Sequence, residues 1–173
     1  MVCVLYVGAR LILLNRKSSR SEAALQELKE QFPQTSVDGV ECDLQQFASV
    51  RTAAQNVKEL LGSEGRSSTS RTQLSLVLDL AQSVCDTPTL LNAAMSYHVG
   101  CYLVSCTGCI DVLCNNAGVM AMKDIATDDG FDVQMQVNHL SHFLLTKELF
   151  PLITLAAESK GEARIVNHSS IAR

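Results

Sequence analysis

Apolar and polar residues alternate over the first sixty positions in a way that predicts two strand–helix units. The apolar run from Arg10 to Leu14 is typical of a short strand, and Val37 to Cys42 is a second one. After each run, apolar residues recur at helical spacing, first over 24–32 and then over 47–61. Strands that alternate with helices predict βαβ units and a parallel sheet.

The same alternation returns in the last third of the chain. Ile110 to Leu113 predicts a strand that is buried on both faces. Thr127 and Asp128 are expected to cap a long helix, which we place over 128–157. Ala163 to Asn167 predicts the last strand.

Residues 63–109 interrupt this pattern. They begin with a Ser/Arg/Gly-rich stretch and continue as an apolar segment of poor periodicity, with a candidate strand at Cys101 to Ser105. A connection between a strand and a helix rarely needs so many residues. We interpret 63–109 as an atypical insertion within a single domain of 1–173, and we hypothesise that it derives from a retained intron or a mispredicted exon.

The composition fits one folded domain. The chain has 173 residues, of which 47% are hydrophobic and 18% are charged, so it can form a core. Its net charge of −4 gives no basic surface for phosphate contacts, and we expect no nucleic-acid partner. No apolar run approaches the length of a membrane span, and none is expected.

The seven cysteines show no regular spacing. This pattern predicts free thiols in a reducing, intracellular compartment, with the cytoplasm as the expected location. Cys106 and Cys109, near His98 and Cys101, have a spacing that can hold zinc. Because no second pair of ligands follows at the usual spacing, we expect no metal site.

The stretch Asn115-Asn116-Ala117-Gly118 follows the strand predicted at Ile110 to Leu113. Two amides and a small-residue corner then lie at the carboxyl edge of the predicted sheet, where α/β proteins bind ligands. Gly118 lets the backbone approach a flat ligand closely. The corner therefore predicts a nucleotide site, although such amides can also tie strand ends together.

Several stretches share a common register with this corner. They are Asn15-Arg16, Glu41-Cys42-Asp43-Leu44, 111–120, Asp129-Gly130-Phe131, 137–146 and 164–170. Together they resemble the short-chain dehydrogenase/reductase family, especially its retinol-dehydrogenase-like members, over roughly residues 8–62 and 110–173. Position 141, a serine here, is more often glycine in that family.

The resemblance implies a Rossmann-like three-layer α/β/α fold with a mostly parallel sheet. It also implies an NAD(P)-dependent oxidoreductase that interconverts an alcohol and a carbonyl on a small molecule, with a lipophilic substrate of retinoid or steroid type. The cofactor-binding residues that it implies are Arg16, Lys17, Asp43, Leu44, Asn116, Ala117 and Gly118. Arg16 suits the 2′-phosphate of NADP, so NADP is expected in preference to NAD. The alternative is that Arg16 and Lys17 are ordinary loop charges.

Two catalytic roles also follow from the resemblance. Asn138 matches the helix Asn that holds a proton-relay water, and Ser170 matches the Ser that hydrogen-bonds the substrate oxygen. Either could instead be structural, as a helix-surface amide and a turn residue. The helix over 128–157 also offers a surface for a homo-oligomer.

Two parts of the family pattern have no counterpart in this chain, which we therefore expect to be an incomplete domain. One is the Gly-rich turn after a first strand, and the other is the Tyr-x-x-x-Lys pair of the general acid/base. None of Tyr6, Tyr97 and Tyr102 has Lys four positions later. We expect the chain as written to be inactive, and the alternative is a non-catalytic remnant or interaction module from a truncated or misspliced product.

The absent first strand would leave a central slot in the sheet. One hypothesis is that the candidate strand at Cys101 to Ser105 fills it, between the strands at Leu11 to Leu14 and Ile110 to Leu113.

Overall fold

The computed structural model describes residues 10–62, 101–105 and 108–169. The elements, in chain order, are β1 (Arg10–Asn15), α1 (Ser19–Gln31), β2 (Val37–Glu41), α2 (Phe47–Gly62), β3 (Cys101–Ser105), β4 (Val112–Asn115), α3 (Val133–Lys160) and β5 (Arg164–Asn167). The five strands form one sheet in the order β2-β1-β3-β4-β5. All the strands predicted along these ranges are present, within two residues of their expected ends.

The sheet is parallel except for its central strand. β1 pairs with β2 in parallel, and β4 pairs with β5 in parallel. β3 lies between β1 and β4 and runs antiparallel to both. The hypothesis that this strand fills the central position is therefore confirmed. Its direction is opposite to that of the other four strands.

Both faces of the sheet are covered, as the apolar runs predict. Along β1, Leu11, Ile12, Leu13 and Leu14 are all buried. Ile12 and Leu14 belong to the core formed with α2 and α3. α1 lies on the opposite face, where its Leu25 side chain approaches the backbone of Gly39 in β2. This is the three-layer arrangement of an α/β domain.

Local sequence signals explain where α1 begins and ends. Ser18 is the N-cap, and its hydroxyl accepts the backbone N–H of Ser21 while the Ser21 hydroxyl accepts the N–H of Ser18. Pro33 follows the C-cap residue Phe32, and proline cannot continue a helix because it lacks the N–H donor.

The prediction that Thr127 and Asp128 begin the long helix is wrong. The backbone N–H of Thr127 donates to the carbonyl of Phe131 (2.8 Å), and Gly130 has a positive φ of 85°. A residue with positive φ breaks a right-handed helix, so these positions form a turn instead. Asp132 is the N-cap, with its Oδ1 accepting the N–H of Met135 at 2.8 Å.

α3 is one long helix with a π-helical turn near its start. Residues Val133–Met135 are α-helical, Gln136–Leu140 are π-helical, and Ser141–Lys160 are α-helical again. The expected end at residue 157 is three residues early, because the chain turns at Gly161, which has a φ of 99°.

By length and composition alone, α3 passes the test for a membrane-spanning helix, with a mean hydropathy of 1.2 over its best window. A single such helix is weak evidence, because helices packed in a core pass the same test. In this fold Leu145, Leu149 and Ile153 are buried in the core.

Candidate functional site

The parallel strands bring most of the predicted site residues to one edge of the sheet. Because β1, β2 and β4 run in the same direction, the residues after them share the carboxyl edge. These residues are Arg16 and Lys17 after β1, Asp43 and Leu44 after β2, and Asn116, Ala117 and Gly118 after β4. Ser170, the predicted substrate-binding serine, lies outside the described residues.

Asn115 ties the ends of neighbouring elements together. Its Nδ2 donates to Oδ1 of Asn167 in β5 (2.8 Å) and to Oγ1 of Thr146 in α3 (3.1 Å). Next to it, Oδ1 of Asn116 lies 2.8 Å from Nδ1 of His168. The two amides of the corner therefore hold β4, β5 and α3 in register, which is the structural role considered from the sequence.

Asn138 lies in the π-helical turn and clamps the chain just after the corner. Its Oδ1 accepts the backbone N–H of Val119, and its Nδ2 donates to the carbonyl of Val119, both at 2.8 Å. Both polar atoms of the amide are thus used by the protein backbone. A π-helical turn often marks a functional position, and here it aims the Asn138 side chain at the corner.

The segment after β2 is fixed by local and distant contacts. The Asp43 carboxylate accepts the backbone N–H of Gln45 (2.9 Å), and the N–H of Asp43 donates to Oγ of Ser49 (2.9 Å). Ser141, which is buried in α3, donates its hydroxyl to the carbonyl of Leu44 at 2.6 Å. The serine at this position therefore joins α3 to the predicted cofactor-binding segment at Asp43 and Leu44, a contact that glycine could not make.

Arg16 and Lys17 are exposed at the end of β1. The carbonyl of Arg16 accepts the hydroxyl of Ser21 (2.9 Å), which holds this turn against the start of α1. Lys17 lines a cavity of about 270 Å³ between α1 and the first two strands, together with Glu22 and Glu41. Two cationic side chains at the carboxyl edge can meet a phosphate group.

Cys101 is a feature of this edge that the sequence pattern did not reveal. It is the first residue of β3, it is 1% exposed, and it lies opposite Leu14 and Asn115. The backbone N–H groups of Asn116 and Ala117 donate to its sulfur. Burial nevertheless raises the pKa of the Cys101 thiol to about 12, so the thiol is neutral at physiological pH.

Three other described cysteines are buried as well: Cys42, Cys109 and Cys114. None of these four forms a disulfide. Burial, with a smaller contribution from nearby Cys101, raises the pKa of the Cys42 thiol to about 12. Among the described residues, no group of three or more His, Cys, Asp or Glu side chains could hold a metal ion. Cys106 and His98 of the zinc alternative lie outside that part of the chain.

His142 is a second buried polar residue at this end of α3. Its Nδ1 lies 3.1 Å from the carbonyl of Asn138, and because a carbonyl only accepts, we place the ring proton on Nδ1. Nε2 is buried and has no hydrogen-bond partner within the described ranges. Burial lowers the pKa of His142 below its usual value, so the ring is neutral.

Comparisons with known proteins bear on the same region. The family model for short chain dehydrogenase matches residues 94–173, which include β3, the corner, α3 and β5. Human retinol dehydrogenase 13 is 49% identical over 63 residues, which are 36% of this chain and 18% of that protein. These matches show that the chain is similar to short-chain dehydrogenases over its last 80 residues. The expected resemblance to this family and to its retinol-dehydrogenase-like members is confirmed.

A longer match has lower identity. Human retinol dehydrogenase 14 is 29% identical over 170 residues, which cover 91% of this chain and 37% of that protein. The chain therefore spans between about a fifth and two fifths of the length of these two relatives.

Solved structures confirm the Rossmann-like α/β fold. An NADH-dependent reductase A1-R′ complexed with NAD superposes with a TM-score of 0.54 at 19% identity, covering 98% of this chain and 52% of that one. An NADPH-bound carbonyl reductase from chicken fatty liver gives a TM-score of 0.53 at 20% identity, covering 93% of this chain and 48% of that one. At these identities the likeness is one of fold.

Proposed function

We propose that this chain carries part of the cofactor site of an NAD(P)(H)-dependent oxidoreductase that interconverts an alcohol and a carbonyl. The observation that carries the proposal is the shared carboxyl edge, where Arg16, Leu44 and Gly118 follow three parallel strands. This is the edge at which open α/β sheets bind nucleotides. The match of residues 94–173 to the short chain dehydrogenase family supports the same chemistry.

The described residues fit the adenosine end of a dinucleotide. Arg16 and Lys17 are exposed cations beside β1, where an NAD-type site would present a carboxylate to the ribose. Asp43, which resembles the adenine contact of the family, precedes Leu44, whose carbonyl accepts the hydroxyl of Ser141. NADP is therefore the cofactor that we propose in preference to NAD, because a guanidinium pairs well with a 2′-phosphate.

The binding test compares adenosine 2′,5′-bisphosphate with adenosine 5′-monophosphate by isothermal titration calorimetry. We expect the bisphosphate to bind about tenfold more tightly, and Arg16→Ala to remove that advantage. Arg20→Ala is the matched control, because it removes an exposed cation in the first turn of α1, four residues after Arg16. It should change the affinity less than about twofold. Equal binding of the two nucleotides to the unaltered chain would contradict the NADP assignment.

The substrate that we propose is a small lipophilic alcohol or carbonyl compound, of the retinoid or steroid kind. The support is the resemblance to proteins named retinol dehydrogenase. In such an enzyme Ser170 would bind the substrate oxygen. Asn138, in the π-helical turn, is the residue that matches the Asn holding the proton-relay water. The Val119 contacts leave the Asn138 side chain a positioning role, since both of its polar atoms are already engaged.

We propose that the 173-residue chain does not itself turn over substrate. It contains no Tyr-x-x-x-Lys pair to transfer the proton. The test is NADPH oxidation by the purified chain with a panel of lipophilic aldehydes and ketones, with Ser170→Ala as the reference. Turnover clearly above that reference would refute the proposal.

A second candidate function is an interaction module that pairs with a second copy through α3. Phe143, Phe150 and Leu155 are 66%, 54% and 43% exposed along this helix. Exposed apolar side chains of this size are typical of contact surfaces. Light scattering after size exclusion should show a dimer that Phe150→Ser dissociates and Lys147→Ser, on the same exposed face, leaves intact. A monomeric unaltered chain would exclude this candidate.

A further inference from the structure

The central strand enters the sheet at the edge where the nucleotide would lie. β3 is antiparallel to both of its neighbours, so its first residue, Cys101, lies beside the last residues of β1 and β4. In an α/β nucleotide site, a strand leaves the sheet at this edge and turns into a helix, whose N-terminal N–H groups face the pyrophosphate. At the central position, the described chain provides the start of a strand and no such helix.

The backbone donors of the corner are already used inside the protein. The N–H groups of Asn116 and Ala117 donate to the sulfur of Cys101, and that of Val119 donates to Asn138. An added Cβ at Gly118 would meet only Oδ1 of Asn138, at 3.7 Å. Three backbone donors at the corner are thus already engaged, and Gly118 does not form the tight glycine cradle that a pyrophosphate requires.

We propose that β3, with Cys101 at its head, closes the pyrophosphate position of this sheet from within. The chain then recognises only the adenosine 2′-phosphate end of NADP(H), and the pyrophosphate and nicotinamide contribute no affinity. This inference rests on the proposed function for the adenosine end alone. The closure itself follows from the strand direction and from the contacts of Cys101.

A ligand cannot open this position by a small movement. Five residue pairs join β3 to β1 and four join it to β4, and even Cys101, in the terminal pair of each ladder, is only 1% exposed. Moving β3 aside would expose the paired edges of both neighbours to solvent and separate β1 from β4. The closure is therefore a property of the folded sheet and not of one side-chain rotamer.

The test uses amide exchange and ligand titration, both followed by NMR on the full 173-residue chain. In the free protein, the amides of Asn116 and Ala117 should exchange slowly. They should exchange at least about tenfold faster in Cys101→Ala, and Cys101→Ser should keep the protection because a hydroxyl also accepts hydrogen bonds. If Cys101→Ala does not fold, the exchange rates of the unaltered chain and the titrations decide the matter.

In the titrations, adenosine 2′,5′-bisphosphate and NADPH should bind with the same affinity within about twofold. Both should shift amides near Arg16 and Leu44, and neither should reach Asn116 and Ala117. NADPH binding about tenfold tighter than the bisphosphate, or shifts at those two amides, would overturn the closure. So would unprotected amides at these positions in the free chain.

The failure of the two proposals can be told apart. If neither ligand shifts any amide, the proposed cofactor site is wrong. Protected amides at Asn116 and Ala117 that depend on Cys101 would support the closure even then.

Discussion

Replacing Lys160 with Met should destabilise the fold strongly, because it removes a cation that is paired with the buried carboxylate of Asp111. Lys160 Nζ lies 2.5 Å from Oδ1 of Asp111, and their side chains are 11% and 0% exposed. The pair joins the last turn of α3 to the residue before β4. Removing one partner of a buried ion pair costs about 3–5 kcal/mol, a large part of the roughly 5–15 kcal/mol that stabilises a typical domain.

A second ion pair provides the matched control. Lys58 and Glu148 join α2 to α3 at 3.6 Å, but their side chains are 34% and 31% exposed. Lys58→Met should therefore cost about 1 kcal/mol or less. Urea unfolding followed by circular dichroism gives the free energy of unfolding of both variants. The slope of this free energy against urea concentration should equal that of the unaltered chain if all three unfold in two states. If Lys160→Met costs no more than Lys58→Met, the reasoning about the buried pair is wrong.

Three further predictions concern the candidate site. Ser141→Ala should lower the free energy of unfolding by about 1–3 kcal/mol, because the carbonyl of Leu44 loses its donor, whereas a value near zero would show that water replaces the hydroxyl. His142 has a pKa below that of the unfolded chain, so the unfolded state binds its proton first as the pH falls through about 6.5; stability should fall there, and His142→Asn should reduce that fall in urea titrations at several pH values. The thiols of Cys42 and Cys101, with pKa values of about 12, should resist iodoacetamide at pH 8 until the chain unfolds, and peptide mapping that finds them labelled in the native protein would contradict their burial.

The elements that depend on local signals were predictable. β1 is an unbroken apolar run, and α1 is bounded by Ser18 and Pro33, so periodicity and capping residues were sufficient there. The predicted start of α3 is wrong because threonine is a good N-cap by residue type, which makes Thr127 the first candidate. The positive φ of Gly130, which makes those residues a turn, depends on conformation and not on composition.

Strand position and strand direction are determined by different parts of the sequence. The apolar run at Cys101 could be assigned to the centre of the sheet, because the family pattern leaves a strand position open there. An apolar run looks the same from either end, so its direction follows from the next connection: the six residues between Ser105 and Val112 are too few for a parallel crossover, and β3 therefore runs antiparallel to β4.

The candidate site could be predicted only in part from the sequence. The strand ends could be aligned by motif, which brought Arg16, Leu44 and Gly118 to one edge. The contacts that fill the site come from residues distant in sequence: Cys101 beneath the corner and Ser141 against Leu44. No periodic pattern or short motif encodes such contacts.

The reversed central strand also has a consequence for how this protein folds. β1 and β2 pair over 26 positions, as between Leu11 and Val37, and β4 and β5 pair over 52, as between Val112 and Arg164. By contrast, Val104 of β3 meets Val112 of β4 across only eight positions, whereas Leu11 meets Val104 across 93 positions. Because loop closure costs more entropy as the loop grows, β3 can join β4 early, and the pairing of β1 with β3 closes last. The β2-β1 pair and the β3-β4-β5 group would then form separately before this late pairing joins them into one sheet.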